Sequence, residues 1–585
     1  MPYSSLNMNE LTETKDLGAS ARTAARPAPA GYHELPRKRL IMTIAGLMVT
    51  LLLSALDQTI VGTAMPRIVA ELQGFDHYAW VTTAYLLSST AVVPIVGKLS
   101  DIYGRKLFLI GGTALFVLAS ALCGLAQDLT QLIAFRGLQG VGAGVLMSMV
   151  FTTVSSIFPP ANRGRIQGVF TSVFGFASIV GPLVGGYLTD ALSWRWVFYV
   201  NLPLGLIALA VLWFGFPNIR PARTDRPIDV LGAVTLVAGV VPLLLALSWG
   251  GGEYPWDSAP IVGLLAFAAV MIGLFLWVES RAPEPIIPLS LFQNPIIAVA
   301  TLAMLCVTMG MFGTILFVPL FIQGVIGTSA TESGTVMMPM MLTIIVGSTV
   351  GGQLISRTGR YRLVALFGLS TASLGMFLLS TMGPDASYLT VVRNMMIVGL
   401  GLGPTMPVFT LAAQNAVSFS QLGVVTSVTQ FARSIGGTLG AALFGSVLVN
   451  RFGSSLQDAL PPAAAVVIPA EQLARIQNPQ VLLNPQISAS IQEGLRAAGP
   501  QAAQTYDTLI AAIRTALATS LHETFLSGAV IVAVAAVVVL FLQEIPLRKS
   551  FADAPGAGAS GSADRGAGPI APMAASASTD GSPVV

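Results

Sequence analysis

A carboxylate set inside an apolar helix is the residue of this chain best suited to carry a proton. Asp57 lies in the run SALDQTIVGTAMPRI, and Ser54, Asp57 and Gln58 share one helical face by i, i+3, i+4 spacing. Placing a charged side chain in a bilayer costs at least about 2.5 kcal/mol, so each one needs a reason. A polar stripe of this kind is expected to face an aqueous cavity rather than lipid. Burial favours the neutral acid and a nearby cation favours the carboxylate. An acid held between those pulls can load a proton on one side and release it on the other. The plainer alternatives are a structural ion pair or a charge near a helix end. Other deep acids are scarce, since Glu332, Asp190 and Glu279 all fall near the ends of apolar runs.

Two arginines are also deep. Arg136 begins RGLQGVGAGVLM, with Arg136, Gln139, Gly140 and Ala143 on one face. The glycines at 137, 140, 142 and 144 let neighbouring helices come close. An arginine keeps its proton, so Arg136 would tune a carboxylate or bind an anion; otherwise it packs with its head among lipid headgroups. Arg433 sits about ten residues into its run, on a face with Thr426, Thr429 and Gln430. Snorkelling alone does not account for that depth. Arg433 binds an anionic group or pairs with a carboxylate across a cavity. Met304, Met309, Met311, Met337, Met338, Met340 and Met341, with Phe312, suit a pocket for bulky lipophiles because thioether chains adapt; lipid-facing or core packing is the alternative. The expected cavity lining is Ser54, Gln58, Gln139, Met147, Phe312, Met337, Met341, Gln430 and Arg433.

The turn Gly97-Lys98-Leu99-Ser100-Asp101-Ile102-Tyr103-Gly104-Arg105-Lys106 sets one acid among three bases. Asp101 facing the positive N-terminus of a helix from another part of the chain would hold one side shut and let go when that side opens. Gly97, Asp101, Gly104, Arg105 and Lys106 form this expected latch. A basic topology loop would explain the charges but not the glycines. In Gly181-Pro182-Leu183-Val184-Gly185-Gly186 the proline removes a backbone donor and bends the helix. The segment is expected to kink at an interface between two halves of the molecule.

These residues need a bilayer around them. Of 585 residues, 54% are apolar and only 10% are charged, where a soluble domain carries about 25% charged. Mean hydropathy is +0.75. That excludes a soluble enzyme, a coiled coil and a disordered chain. The net charge of +3 is too small and dispersed for a nucleic-acid partner. Cys123 and Cys306 lie in apolar runs and form neither a metal spacing nor a disulfide framework. His33, His77 and His522 are scattered, so no metal site is expected. No phosphate-binding glycine loop is present, because Gly97-Lys98 is followed by leucine. No cofactor is expected, and the energy source is an ion gradient or the substrate's own gradient.

A spanning helix needs about 20 mostly apolar residues. Fourteen such runs occur, near 40–65, 78–97, 107–126, 131–157, 166–190, 196–216, 229–248, 259–279, 296–323, 332–355, 362–382, 387–413, 423–449 and 524–543. Arg and Lys concentrate in alternate short loops, which places both termini in the cytoplasm. Residues 1–36 and 546–585 read as disordered. Residues 450–522 form the large external loop, with an amphipathic helix at 506–521 resting on the membrane or capping the mouth.

The pattern Gly-x-Leu-x-x-x-x-Gly-Arg at 97–105 recurs at 352–360, 255 residues on, with Ser356 where Asp101 stands. Residues 172–186 answer 427–441, and Arg136 answers Arg393. The expected plan is a six-helix bundle at 37–216, two linking helices within 217–295 and a second six-helix bundle at 296–545. Parallel repeats of this kind suit alternating access to a midplane site.

Together these motifs resemble the major facilitator superfamily, and within it the fourteen-helix branch of drug:proton antiporters of bacteria. The carriers are Leu56-Asp57-x-Thr59-Ile60-Val61-x-x-Ala64-x-Pro66, Gly97-x-x-x-Asp101-x-x-Gly104-Arg105-Lys106, Arg136-Gly137-x-Gln139-Gly140-x-Gly142, Gly181-Pro182-x-x-Gly185-Gly186, and Ser193-Trp194-Arg195-Trp196-Val197-Phe198-Tyr199-Val200-Asn201-x-Pro203-x-Gly205. The resemblance covers about residues 37–545. It implies an all-α integral membrane protein of fourteen helices that is not an enzyme. It implies a multi-pass monomer of the bacterial plasma membrane, with protons and lipophilic small molecules as partners and membrane lipid around it. Export is driven by the proton gradient, with protonation at Asp57, attended by Arg136, linked to substrate release. Asp101 and Arg105 would stabilise the outward-facing state, and the helix-5 Gly/Pro segment marks antiport. Helix 10 is methionine-rich and helix 13 carries Arg433 where exporters of dications often carry acids, so neutral, weakly cationic or zwitterionic lipophiles are expected. A dedicated exporter of a lipid, siderophore or metabolite, and an uptake symporter, are the competing readings.

Overall fold

A computed structural model describes residues 36–72, 78–217, 227–251, 253–327, 330–460 and 500–547. The expected disorder of 1–36 and 546–585 falls almost wholly outside these residues. So does most of the expected external loop, and so do Arg220, Arg223, Arg226, Arg548 and Lys549.

Among the described residues, fourteen helices are long and apolar enough to cross a membrane, which is the all-helical architecture anticipated from the apolar runs. They are α1 (Arg37–Leu72), α2 (Tyr78–Tyr103), α3 (Arg105–Leu125), α4 (Leu129–Ile157) and α5 (Pro160–Ala191). After them comes α6, in two pieces, Trp196–Tyr199 and Asn201–Gly215. Next are α7 (Val230–Trp249), α8 (Ala259–Glu279), α9 (Pro295–Leu320) and α10 (Ala330–Thr358). The last four are α11 (Tyr361–Ser380), α12 (Tyr388–Asn415), α13 (Leu422–Ala459) and α14 (Pro500–Val539). Among the described residues the only β pairing is an isolated bridge, Gly250 to Tyr254. Leu107, Phe214, Phe367 and Phe541 are exposed on the outer surface, where acyl chains replace water.

Local chemistry sets the helix boundaries. Asp128 starts α4 by accepting the Gln131 N–H at 2.8 Å, and Asp229 does the same for α7 through Gly232 at 2.7 Å. The repeated glycine of the two related turns has a specific task. Gly104, between α2 and α3, has φ 90°, and Gly359, between α10 and α11, has φ 71°. A side chain at either position would strain the left-handed turn that joins antiparallel helices.

α1 packs on α5 and α6, and α4 on α2 and α3. In the second half, α12 packs on α10 and α11, and α14 on α9, α11 and α13. The pair α7–α8 lies alongside, with α7 touching both α2 and α13. The halves meet chiefly through α5 on α10 and α2 on α13, with smaller contacts of α4 on α13 and α5 on α12.

The structure departs from the expected amphipathic helix at 506–521. That stretch is the first half of α14, continuous through Val539. Leu509, Ile513 and Leu517 are buried in the core of the second half rather than on a membrane surface. Their helical spacing was read correctly; their partner is the bundle.

Candidate functional site

Asp57 lies midway along α1 with no exposed surface. Its Oδ2 accepts from Arg136 Nη1 at 2.8 Å. Its Oδ1 accepts from Gln139 Nε2 and from Asn201 Nδ2, each at 2.8 Å. Arg136 Nη1 also donates to Gln139 Oε1 at 2.8 Å, so the Gln139 amide is oriented by both charges. Ser120 accepts from Gln139 at 3.1 Å and from Asn201 at 3.0 Å, and donates to the Phe198 carbonyl at 2.9 Å. The guanidinium stacks over Tyr85 at 4.1 Å. Five helices, α1, α2, α3, α4 and α6, therefore meet at one carboxylate.

This placement differs from a carboxylate facing an open cavity. Asp57 is sealed inside the first half and closed on Arg136. Ser54 is also fully buried, with no hydrogen-bond partner on its hydroxyl. Gln58 alone of the three turns to the central cavity. One helical face spans about 100°, and here it straddles a bundle interior and a cavity wall. Gln139 likewise belongs to the Asp57 cluster rather than to the cavity. Asn201 and Ser120 received no role from sequence. Their signal was a lone amide in the apolar run of α6 and one of two hydroxyls in α3. Arg393, the repeat partner of Arg136, is exposed and bonds only its neighbour Asn394, at 3.0 and 3.1 Å. The buried pair is thus confined to the first half.

A cavity of about 600 Å³ lies between the halves, on the side away from Arg37. Gln58, Met147, Phe312, Gln430 and Arg433 line it, and so do Leu247 and Ser248 of α7. The linking pair therefore contributes a wall. A second chamber of about 180 Å³, lined by Phe151, Met304, Met341, Ile344 and Met406, shares Gln430 and Arg433 with the first. Met337 lines neither chamber and packs against the second-half core. Arg433 is the sole charged residue lining either chamber among the described residues. Its Nη2 contacts Met147 Sδ at 4.0 Å, and its guanidinium lies 5.7 Å from the Phe174 ring centroid.

On the Arg37 face the halves are closed. Asp101 sits on the first turn of α13, accepting from Val424 N at 3.2 Å, with Arg105 Nη2 3.3 Å from its other oxygen. A Cβ on Gly423 would fall on that carboxylate, and a Cβ on Gly97 would fall on the Ser427 side chain. Ser148 and Ser427 hydroxyls meet at 2.8 Å. The remaining bases of the turn point elsewhere. Lys98 pairs with Glu284 at 2.7 Å. Lys106 caps the end of α6, donating to the Trp213 and Phe216 carbonyls at 2.9 and 2.8 Å.

The Gly/Pro segment of α5 does not lie at the interface between halves. A Cβ on Gly181 or Gly185 would strike Thr59 or Thr63 of α1, inside the first half, whereas Gly186 meets nothing. The Thr59 hydroxyl donates to the Ala177 carbonyl at 3.0 Å across this contact. The α5–α10 interface is made instead by Gly164 against Gly352 and Gly168 against Ser348, nearer the start of α5. Pro182 lies within an α5 that runs unbroken to Ala191.

A scan against known families matches the Major Facilitator Superfamily over residues 47–441. Multidrug transporter protein MdtP of Bacillus subtilis (strain 168) is 44% identical over 523 residues, covering 88% of this chain and 95% of that protein. Multidrug resistance protein 3 of the same organism is 38% identical over 499 residues, covering 85% and 94%. Among solved structures, the human organic anion transporter MFSD10 aligns with TM-score 0.54 at 14% identity, covering 85% of this chain and all of that one. A bacterial homologue of the human lysosomal transporter Spinster, inward-facing and unoccupied, aligns with TM-score 0.52 at 16% identity, covering 88% and 100%. At those identities the two structures speak to the fold alone.

Proposed function

The chain belongs to the Major Facilitator Superfamily, and from that premise we propose that it is a proton-coupled exporter of lipophilic compounds in the bacterial plasma membrane. Two relatives are named a multidrug transporter protein and a multidrug resistance protein, which supports efflux as the direction of transport. The observation that carries proton coupling is the Asp57–Arg136 pair, 2.8 Å apart with side chains 0% and 2% exposed. Protonating Asp57 would remove the charge that neutralises Arg136 and leave a guanidinium alone in a dry bundle. Such a charge is costly, so the first half must rearrange when the proton arrives. Asn201 and Gln139, both bonded to Oδ1, transmit that change to α6 and α4.

Alternating access would use the closed face. Asp101 on the α13 N-terminus holds α2 to α13, and separation of the halves there opens the cavity to the Arg37 side. The glycine contacts between α5 and α10 let those helices part without unpicking interlocked side chains.

Everted membrane vesicles carrying a pH-gradient dye test the proposal. Adding a transported lipophile should release protons from wild-type vesicles, and Asp57→Asn, expressed at equal level, should abolish that release. Undiminished exchange in Asp57→Asn would remove the carboxylate from the mechanism.

A further inference from the structure

Arg433 is half-buried and is placed differently from the inward arginines of the two ion pairs. Arg136 faces Asp57, and Arg105 faces Asp101. Arg433 faces a methionine sulfur and an aromatic ring, and no carboxylate lines either chamber it borders. A guanidinium presents five N–H donors and keeps its charge at any physiological pH. Beside it, one turn earlier on α13, Gln430 is 4% exposed and its amide oxygen has no hydrogen-bond partner. Gln430 and Arg433 are the polar seam shared by the two chambers. Around that seam the walls carry Met, Phe, Ile and Leu, together with Gln58, Gln167 and neutral hydroxyls such as Thr90 and Thr171.

A cation with no counter-charge, bordering both chambers, lacks an acceptor; the Gln430 amide oxygen beside it is itself an acceptor and lacks a donor. We propose that the cavity takes an amphipathic organic anion: a single negative head seated on the Arg433 guanidinium, with its lipophilic body in the methionine- and phenylalanine-lined space. The chamber sizes, about 600 and 180 Å³, bracket a small-molecule ligand. This reverses the expectation of neutral or weakly cationic cargo, because a fixed positive charge with no acid nearby repels cations. Carboxylate-headed and phosphate-headed amphiphiles share the required chemistry. The proposal deepens the exporter reading by naming its cargo class, and binding can be measured without transport.

The test uses the full-length protein in nanodiscs of zwitterionic lipid and follows dansyl fluorescence. The probes are 11-(dansylamino)undecanoate, its uncharged methyl ester, the trimethylammonium analogue of the same chain, and the phosphate monoester of the same chain. Wild type should bind the carboxylate or the phosphate at least about tenfold tighter than the ester, a difference of about 1.4 kcal/mol. The ammonium analogue should bind more weakly than the ester. Arg433→Gln should lose the anion preference and keep ester affinity, which also reports that the variant is folded. Arg433→Lys should keep most of the preference. Which anionic head binds tighter assigns the source, carboxylic acid or phospholipid. Equal affinity for acid and ester, tighter binding of the ammonium probe, absence of saturable anion binding, or an anion preference that survives Arg433→Gln would each overturn the proposal. Anion binding without proton-coupled export would defeat the exporter reading and leave this one standing; drug export without anion binding would do the reverse.

Discussion

The buried pair at Asp57 and Arg136 lends itself to a charge-neutral double substitution. Asp57→Asn alone strands a guanidinium that is 2% exposed, and Arg136→Gln alone strands a carboxylate that is 0% exposed. Breaking a buried pair from one side costs about 3–5 kcal/mol. Two independent losses would then total about 6–10 kcal/mol. In the double variant no charge remains. The amide oxygen at position 57 still accepts from Gln139 and Asn201, the donors now 2.8 Å from Oδ1. What is lost is the link to Arg136, its stacking over Tyr85 at 4.1 Å, and its bond to Gln139. Those sum to about 1–3 kcal/mol. The double variant should therefore be more stable than either single one, with a coupling energy of several kcal/mol, read by unfolding in mixed micelles of rising denaturing-detergent fraction. None of the three variants should exchange protons for substrate. A double variant destabilised by the full sum of the singles would refute a closed ion pair. One that regains proton exchange would refute Asp57 as the carrier.

Two further expectations concern the faces of the molecule. Asp101→Asn removes the charge from a hydrogen bond to the first turn of α13; charge-assisted bonds contribute about 1.5–3 kcal/mol, so the population separated at the Arg37 face should rise roughly ten- to hundredfold. Spin labels at the exposed Arg165 and Arg357 would show the longer distance, and an unchanged distribution would count against the latch. On the opposite face, the hydrogen bond from Arg195, 2.7 Å away, holds the Glu71 carboxyl below its ordinary range. Its contribution is present above that range and is lost as pH falls through the lowered value. The pair is largely exposed, so Glu71→Gln should cost less than about 1 kcal/mol at neutral pH. That gap should close in acid, and a gap that widens in acid would contradict the assignment.

The helix count was legible because each crossing must hide its backbone in about 20 apolar residues, a signal that is local in sequence. The turn glycines were legible as a repeat, and Gly104 and Gly359 share a left-handed backbone that only a glycine takes freely. The pairing of Asp57 with Arg136 was not legible, since it depends on the rotation of α1 against α4. A shift of one residue, about 100°, separates Asp57 in the bundle from Gln58 in the cavity. For the same reason Ser54 and Gln139 read as cavity residues. Gly181 and Gly185 announced close approach, and a lone sequence does not say to which neighbour. Arg433 was conspicuous by depth alone; the structure sets it half-buried on the cavity wall.

α13 runs unbroken from Leu422 to Ala459. Val424, which donates to Asp101, and Arg433 are nine residues apart on it, about 14 Å along a stiff rod. Cargo gripping the guanidinium thus tugs on the same lever whose tip keeps the far doorway bolted. Loading and unbolting are two readings of one displacement, and no relay through intervening side chains is required to connect them.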